Sequence, residues 1–349
     1  MTTLDGTLDL GARPAHVPVR ARVIRTTLLF GALALLVCGL APLVGSTPVN
    51  LADAFDRTRP FADNVDAQIL FIARVPRVLA GALVGAALAT AGVVFQALLR
   101  NPLATPFTLG VSAGASLGAM LAMTFGLTVG IGWLSPVPLA SLCGASVAAG
   151  LVYWLAAVRS RAMSVAVLLL AGVTLNSFFS ALILFVQYAS DFGEVYRAAR
   201  WLMGDLDVGG FDPILAALPL LALALAAFVP LAPSLNLLSV GGDAAAARGV
   251  DVARAHRLAF FSASLATSAA VALAGPIGFV GIVVPHLVRL MVGADHRVVL
   301  PAAALFGASF LVACDLVART VMAPIEVPVG VVTALLGGPF FLWLLVRRS

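Results

Sequence analysis

One stretch, Arg74 to Gly118, leaves the chain few choices of fold. It opens on Arg74 and Arg77 around Pro76, runs apolar from Val78 to Leu99, breaks at Arg100-Asn101-Pro102, and resumes as a second, glycine-studded apolar run. At a rise of about 1.5 Å per residue the first run is long enough to cross ~30 Å of hydrocarbon as a helix. Gly81/Gly85, Gly110/Gly114 and Gly114/Gly118 have the small-xxx-small spacing that lets helix backbones approach closely in lipid. The stretch therefore predicts one crossing, a tight irregular turn, and the start of another crossing, packed against helical neighbours.

The remainder of the chain repeats the pattern. Of 349 residues 61% are hydrophobic and only 11% charged, with a mean hydropathy of +1.07. A soluble core is excluded, and the fold class is an all-α polytopic membrane protein. Residues 1–23 are polar, contain Arg13, Arg20 and Arg22, and show no small-residue cleavage site, so they read as a cytoplasmic tail leading into an uncleaved first helix. Over residues 24–349 the apolar runs predict about ten crossings: Ile24–Val44, Val78–Leu99, Pro106–Phe125, Val137–Val158, Val165–Gln187, Pro213–Pro230, Leu258–Ala274, Phe279–Val292, Val299–Leu316 and Pro328–Val346. A turn through Gly130-Ile131-Gly132 joins the third to the fourth. Segments 46–73 and 188–212 fall outside, the second with a short amphipathic helix in VYRAARWLM, and 234–256 is the longest inner segment. Both termini are then cytoplasmic. Most of the 21 basic residues lie inside and most of the 16 acidic ones outside, as the positive-inside rule requires. The net charge of +5 thus reflects topology, and nucleic acid is not expected as a partner.

The chemistry is informative by what is missing. There is no G-x-x-x-x-G-K-[ST] loop, no H-E-x-x-H and no G-x-S-x-G, so the chain is not expected to hydrolyse ATP or to act as an enzyme, and any pumping energy must enter through a partner. Cys38, Cys143 and Cys314 lie far apart in apolar runs and read as buried spectators; neither a metal site nor a bound cofactor is expected. His286, behind Pro285, reads as a structural histidine bonding a neighbouring carbonyl, with a proton relay as the alternative. A local echo of GVVFQALLR (Gly92–Arg100) in GIVVPHLVR (Gly281–Arg289) is too short to carry an argument.

Four groups of residues are candidate sites. LLSVGGDAAAARGVDV reads as a short helix, Asp243–Arg248 around Ala246, capped by Gly242/Asp243 and ended by Gly249; the alternative is a surface loop. Asn101-Pro102-Leu103 exposes backbone in a break between crossings, either as a gate or as a plain helix stop. Asn176, Ser180 and Gln187, with Gly172 nearby, fall on one face of the fifth helix and line either a watery path or a helix interface. Arg74, Arg77 and Arg319 lie at the outer face, where lone arginines also snorkel to headgroups.

The segments RVPR, GAALATAG, NPLATPFTLGVSAGA, AGPIGFVGIVVPHLVRL and DHRVVLP resemble the permease subunits of type II ABC importers for ferric siderophores, haem and cobalamin, from about Arg74 to the C-terminus. The resemblance implies a homodimer around a central pathway in the bacterial inner membrane. It also implies two ATP-binding subunits carrying ATP and Mg inside, and a substrate-binding protein outside. It assigns Asp243, Ala246, Arg248 and Gly249 to coupling with the ATPase, and Asn101, Pro102 and Leu103 to a cytoplasmic gate. Gly172, Asn176, Ser180 and Gln187 fall to the pathway, and Arg74, Arg77 and Arg319 to docking of the binding protein. By family base rate the cargo is a ferric siderophore first, then haem or cobalamin. The rival readings are an ion-gradient-driven secondary transporter, for which no carboxylate is well placed, and an intramembrane enzyme, for which the catalytic constellation is missing.

Overall fold

The computed structural model describes residues 18–130, 135–159 and 165–347, and every regular element among them is helical. The expected tail, up to residue 17, and residues 131 and 132 of the expected glycine turn lie outside the described residues. In chain order the helices are α1 (Val19–Leu40), α2 (Leu51–Ala54), α3 (Val65–Gln68), α4 (Val75–Leu99), α5 (Val111–Thr124), α6 (Pro136–Arg159), α7 (Val165–Tyr188), α8 (Phe192–Leu202), α9 (Asp212–Val240), α10 (Gly242–Ala246), α11 (Val252–Ala274), α12 (Val280–Val292), α13 (His296–Thr320) and α14 (Val329–Arg347). Among the described residues seven helices are long and apolar enough to cross a membrane: α1, the α3–α4 unit, α6, α7, α9, α11 and α13. Three shorter apolar ones, α5, α12 and α14, accompany them.

The hub is α4, buried almost continuously from Ala87 to Leu99 and packed against α13, α11, α12 and α9. Glycine makes this possible. A Cβ on Gly85 would stand 2.2 Å from the Gly307 carbonyl oxygen of α13, and one on Gly92 would stand 2.1 Å from that of Gly281 in α12, so the backbones touch. Between α5 and α6 the same role falls to Gly118, whose Cβ would lie 2.1 Å from the Ala140 carbonyl oxygen. Where side chains do meet, Phe95, Phe260, Phe261 and Tyr153 stack edge-to-face or tilted and tie α4, α11 and α6 together.

Several boundaries differ from the sequence expectation. The second crossing starts early: α3 passes through a π-helical turn, Ile69–Arg74, straight into α4, so Arg74 and Arg77 lie within a continuous helix. The third starts late, because residues 101–110 form turns and Gly110, left-handed at φ 74°, precedes α5; Gly110 and Gly114 are not a helical pair. The helix expected to stop at Pro230 continues through Pro219, Pro230 and Pro233 to Val240, so the inner segment begins after Val240 and not at Ser234. A proline removes one ladder bond, but unwinding in lipid would strip many backbone groups of partners, and the helix continues. At the other side of that segment, Asp251 accepts from Arg254 N at 2.9 Å and starts α11 at Val252. Cys314 is buried and Cys38 half-buried, but Cys143 is exposed, contrary to the expectation of burial; an apolar run faces lipid as readily as a core.

Candidate translocation pathway and coupling surface

Two polar clusters mark the two ends of the bundle. At the first, Asp315 of α13, 1% exposed, lies between two guanidinium groups. Arg77 Nε donates to its two oxygens at 2.9 and 3.2 Å, and Arg77 Nη1 to Glu326 Oε2 at 2.6 Å. Arg319 Nε stands 3.1 Å from Asp315 Oδ2, off the N–H axis, and its Nη2 donates to the Ala41 carbonyl at 3.2 Å. Arg74 donates to the carbonyls of Pro42 and Thr47. Arg74, Arg77 and Arg319, expected at the outer face for docking, are 6%, 8% and 3% exposed within the chain and tie the end of α1, α4, α13 and the 321–328 loop together. The acidic partners of Arg77 are far away in sequence, and nothing in the local pattern around RVPR points to them.

At the opposite end α4 closes with Arg100 in the left-handed region at φ 47°, Arg100 N bonding Ala97 O at 3.4 Å and Asn101 N bonding Gln96 O at 3.2 Å. This is a helix-ending motif that normally recruits glycine. Asn101 Oδ1 then accepts from Leu103 N at 2.9 Å, and the Asn101 carbonyl from Ala104 N at 3.1 Å, which folds Asn101-Pro102-Leu103 into a tight turn with Pro102 and Leu103 exposed. Just inside this turn Gln96 Nε2 donates to the Gly281 carbonyl at 3.0 Å, and Arg289 reaches Gln96 Oε1. The two echoing segments, 92–100 and 281–289, thus lie against each other.

The non-helical stretches are covered by particular helices. Residues 101–110 rest on α7, where a Cβ on Gly172 would meet the Thr108 carbonyl oxygen at 2.5 Å; residues 275–279 rest on α14, where one on Gly337 would meet the Phe279 ring at 2.4 Å. Gly172, expected in a pathway lining, is buried within the chain against that turn. Along the same helix Asn176 is half-buried beside Gly110, Gln187 is half-buried and Ser180 exposed. His286 meets Phe340 of α14 edge-to-face at 6.0 Å between ring centroids.

The Arg289 end also carries α10. Its closing bonds, Gly249 N to Ala246 O at 2.9 Å and Val250 N to Ala245 O at 3.1 Å with Gly249 at φ 83°, are those of a Schellman motif. The cap in front is Gly241, without a side-chain bond, and Asp243 sits in the first turn, which corrects the expected Asp243 cap. Only Ala245 of the helix is buried; Asp243, Ala244, Ala246, Arg248 and Gly249 are exposed. The base of α10 is fixed by a knot that sequence reading did not find. Asn236 Nδ2 donates to Asp295 Oδ1 at 2.8 Å, Asn236 Oδ1 accepts from His296 N at 2.8 Å, and Arg297 Nη2 donates to Asp295 Oδ2 at 2.8 Å. The bond from Arg297, with that from Asn236, holds the Asp295 carboxyl well below the usual carboxylate range. Polar residues inside apolar runs, such as Gln96, Asn236 and Asp315, were visible signals; Asp295 sits in the polar stretch before α13 and gives none.

Against known proteins, a model of the FecCD transport family matches residues 32–347. The chain is 46% identical over 276 residues to the cobalamin import system permease protein BtuC of Halobacterium salinarum, covering 79% of this chain and 73% of that protein. It is 38% identical to the hemin transport system permease protein HmuU of Yersinia pestis (80% and 82% covered) and 38% identical to the Fe(3+) dicitrate transport system permease protein FecD of Escherichia coli (80% and 85%). A solved metal-chelate type ABC transporter in an inward-facing conformation superposes with a TM-score of 0.82 at 31% identity, over 93% of this chain and all of that one.

Proposed function

The chain belongs to the FecCD transport family of ABC-importer permeases, and from this we propose that two copies form a central pathway through the cytoplasmic membrane, driven by two separate ATP-binding subunits and fed by a substrate-binding protein. Each copy crosses ten times with both termini in the cytoplasm, as one unit over residues 24–349, so that the Arg289 end is inner and the Asp315 end outer. The observation that carries the coupling role is α10. A short helix that leaves Ala244, Ala246 and Asp243 exposed, beside the Asn236–Asp295 knot, has the shape of a plug for a partner's groove, and among the described residues nothing covers that face. Asn176, Ser180 and Gln187 lie on a helix with exposed faces, which suits a pathway completed by a second copy. Asn101-Pro102-Leu103, exposed at the inner end, is the proposed gate. The binding protein meets the 321–328 loop that Arg77 and Arg319 brace, and Glu326 on that loop holds its register.

The cargo is a bulky complexed metal: corrinoid, haem or ferric chelate. The relatives' names divide among these classes, and the 46% identity to a cobalamin permease moves a corrinoid ahead of the siderophore that base rate favours. The test is uptake by proteoliposomes holding the permease with its co-expressed ATPases and binding protein, screened against corrinoids, haem and ferric chelates. Uptake is expected only with internal-site ATP and binding protein; uptake driven by an ion gradient alone would overturn the reading. Ala246→Trp overfills the docking groove and is expected to abolish uptake while leaving the melting temperature of the permease unchanged. Normal uptake by that variant would remove α10 from coupling.

A further inference from the structure

A cavity of about 500 Å³ lies between α1, α4, α9 and α13 toward the Arg289 end, away from α7 and α14. Its walls are apolar, formed by Phe228, Val229, Leu300 and Ala304, and two helix-interior prolines, Pro233 and Pro301, stand in it. Neither proline can donate to the carbonyl four residues earlier, so the Val229 and Arg297 carbonyls lose their helical partners at the same wall. At one end of the cavity stand His296 and Arg297. The Arg297 side chain is 47% exposed, and only its Nε and Nη2 are engaged by Asp295, out of five donors. Arg20 is exposed one turn before Val23, a lining residue, and therefore on the same face of α1 toward the same end.

We propose that this cavity binds an anionic phospholipid, one acyl chain among Phe228, Val229, Leu300 and Ala304 and its phosphate held by Arg297 and Arg20. The inference rests on the membrane reading and its orientation. At hydrocarbon depth no water is available to fill an apolar cavity. α1, with only Phe30 and Ala34 buried, is largely open to lipid. The cations lie at the cytoplasmic leaflet, where anionic headgroups concentrate and basic pockets between helices collect them. The volume falls within the range of about 300–1,000 Å³ typical of small-ligand sites. Bulk annular lipid needs neither a recess with apolar walls nor the cations at one end; a retained lipid uses both.

The full-length permease, purified alone in mild detergent, is equilibrated with equal amounts of phosphatidylglycerol and phosphatidylethanolamine, then stripped with detergent while retained lipid is counted by native mass spectrometry. One phosphatidylglycerol per chain is expected to outlast the rest. Val229→Trp fills the cavity from an exposed position that should not disturb folding, and is expected to cut retention at least about tenfold, overfilling being the cause. Arg20→Gln is expected to lower the preference for phosphatidylglycerol about fivefold, the effect of one basic residue near an anionic surface. Equal retention of the two lipids, or retention unaffected by Val229→Trp in a folded sample, overturns the proposal. So does a photo-crosslinker placed at Val229 that captures residues 1–17 or a second copy in place of lipid. Because retention is read without ATPase, cargo or binding protein, its failure leaves the transport reading intact, and a failure of transport leaves this result standing.

Discussion

A carboxylate held between two guanidinium groups, as Asp315 is between Arg77 and Arg319, balances charge that neither lipid nor water would otherwise neutralise at 1% exposure. Removing it takes from buried Arg319 its carboxylate and leaves Arg77 with Glu326 alone; breaking a buried pair in this way costs about 3–5 kcal/mol. Asp315→Ala is therefore expected to lower the melting temperature of the detergent-solubilised permease well below wild type, and an unchanged melting temperature would show that the arginines find other partners. For the same reason charge reversal at Arg77 or Arg319 should act on folding before it acts on any partner. RVPR announces two cations at the mouth of a crossing, but Arg77 is drawn inward by Asp315 and Glu326, some 240 residues later along the chain, and Arg74 by the Pro42 and Thr47 carbonyls, pairings that no local pattern contains. Arg100 shows the same limit: glycine at Gly249 signals a helix end by its type, whereas arginine in the left-handed region at φ 47° does not. Its charge at the carboxyl end of α4 favourably opposes the helix dipole.

Helices were legible where hydrophobic length and glycine decide them, and less so where a side chain from elsewhere does. The short helix α10 was readable because Gly249 ends it; the starts of α11 and α13 were not, because Asp251 and Asp295 extend them beyond the apolar run by capping. The prolines of α9 misled in the other direction, since their penalty is set by water that lipid excludes. The Asp295 cap carries a pH dependence of definite sign. Its folded-state pKa is depressed, so its contribution is complete above the unfolded value of about 3.9 and is lost as pH falls through the folded one. Thermal stability of the wild type should drop on acidification from about pH 5 towards pH 2, and Asp295→Asn should be less stable at neutral pH but shallower over that window. Parallel acid limbs for the two proteins would assign the drop to other carboxylates.

At the scale of the molecule, the all-helical class and the order of the apolar runs followed from the sequence, while the assignment of faces did not, because in lipid an apolar surface says nothing about which side is covered. The α7 stripe shows this: Gly172 is taken by the 101–110 turn, leaving Ser180 on an open face. If that face borders a pathway between two copies, Ser180→Cys, in a background lacking Cys38, Cys143 and Cys314, should react with a water-borne maleimide in membranes; Leu170→Cys, exposed a few turns away along the helix, serves as the comparison for lipid exposure. Failure of Ser180→Cys to label in assembled transporter, with labelling in the denatured chain, would give the face to helix packing. One feature of the fold bears on how motion crosses the bundle. From Asp212 to Val240, α9 runs unbroken until Gly241 alone separates it from the short exposed helix, and it is missing ladder bonds at Pro219, Pro230 and Pro233. A rod softened at three places along its length flexes under load. A displacement imposed at its Val240 end would be taken up as curvature within α9 and delivered sideways to the helices it leans on, more than as a rigid push to the far side.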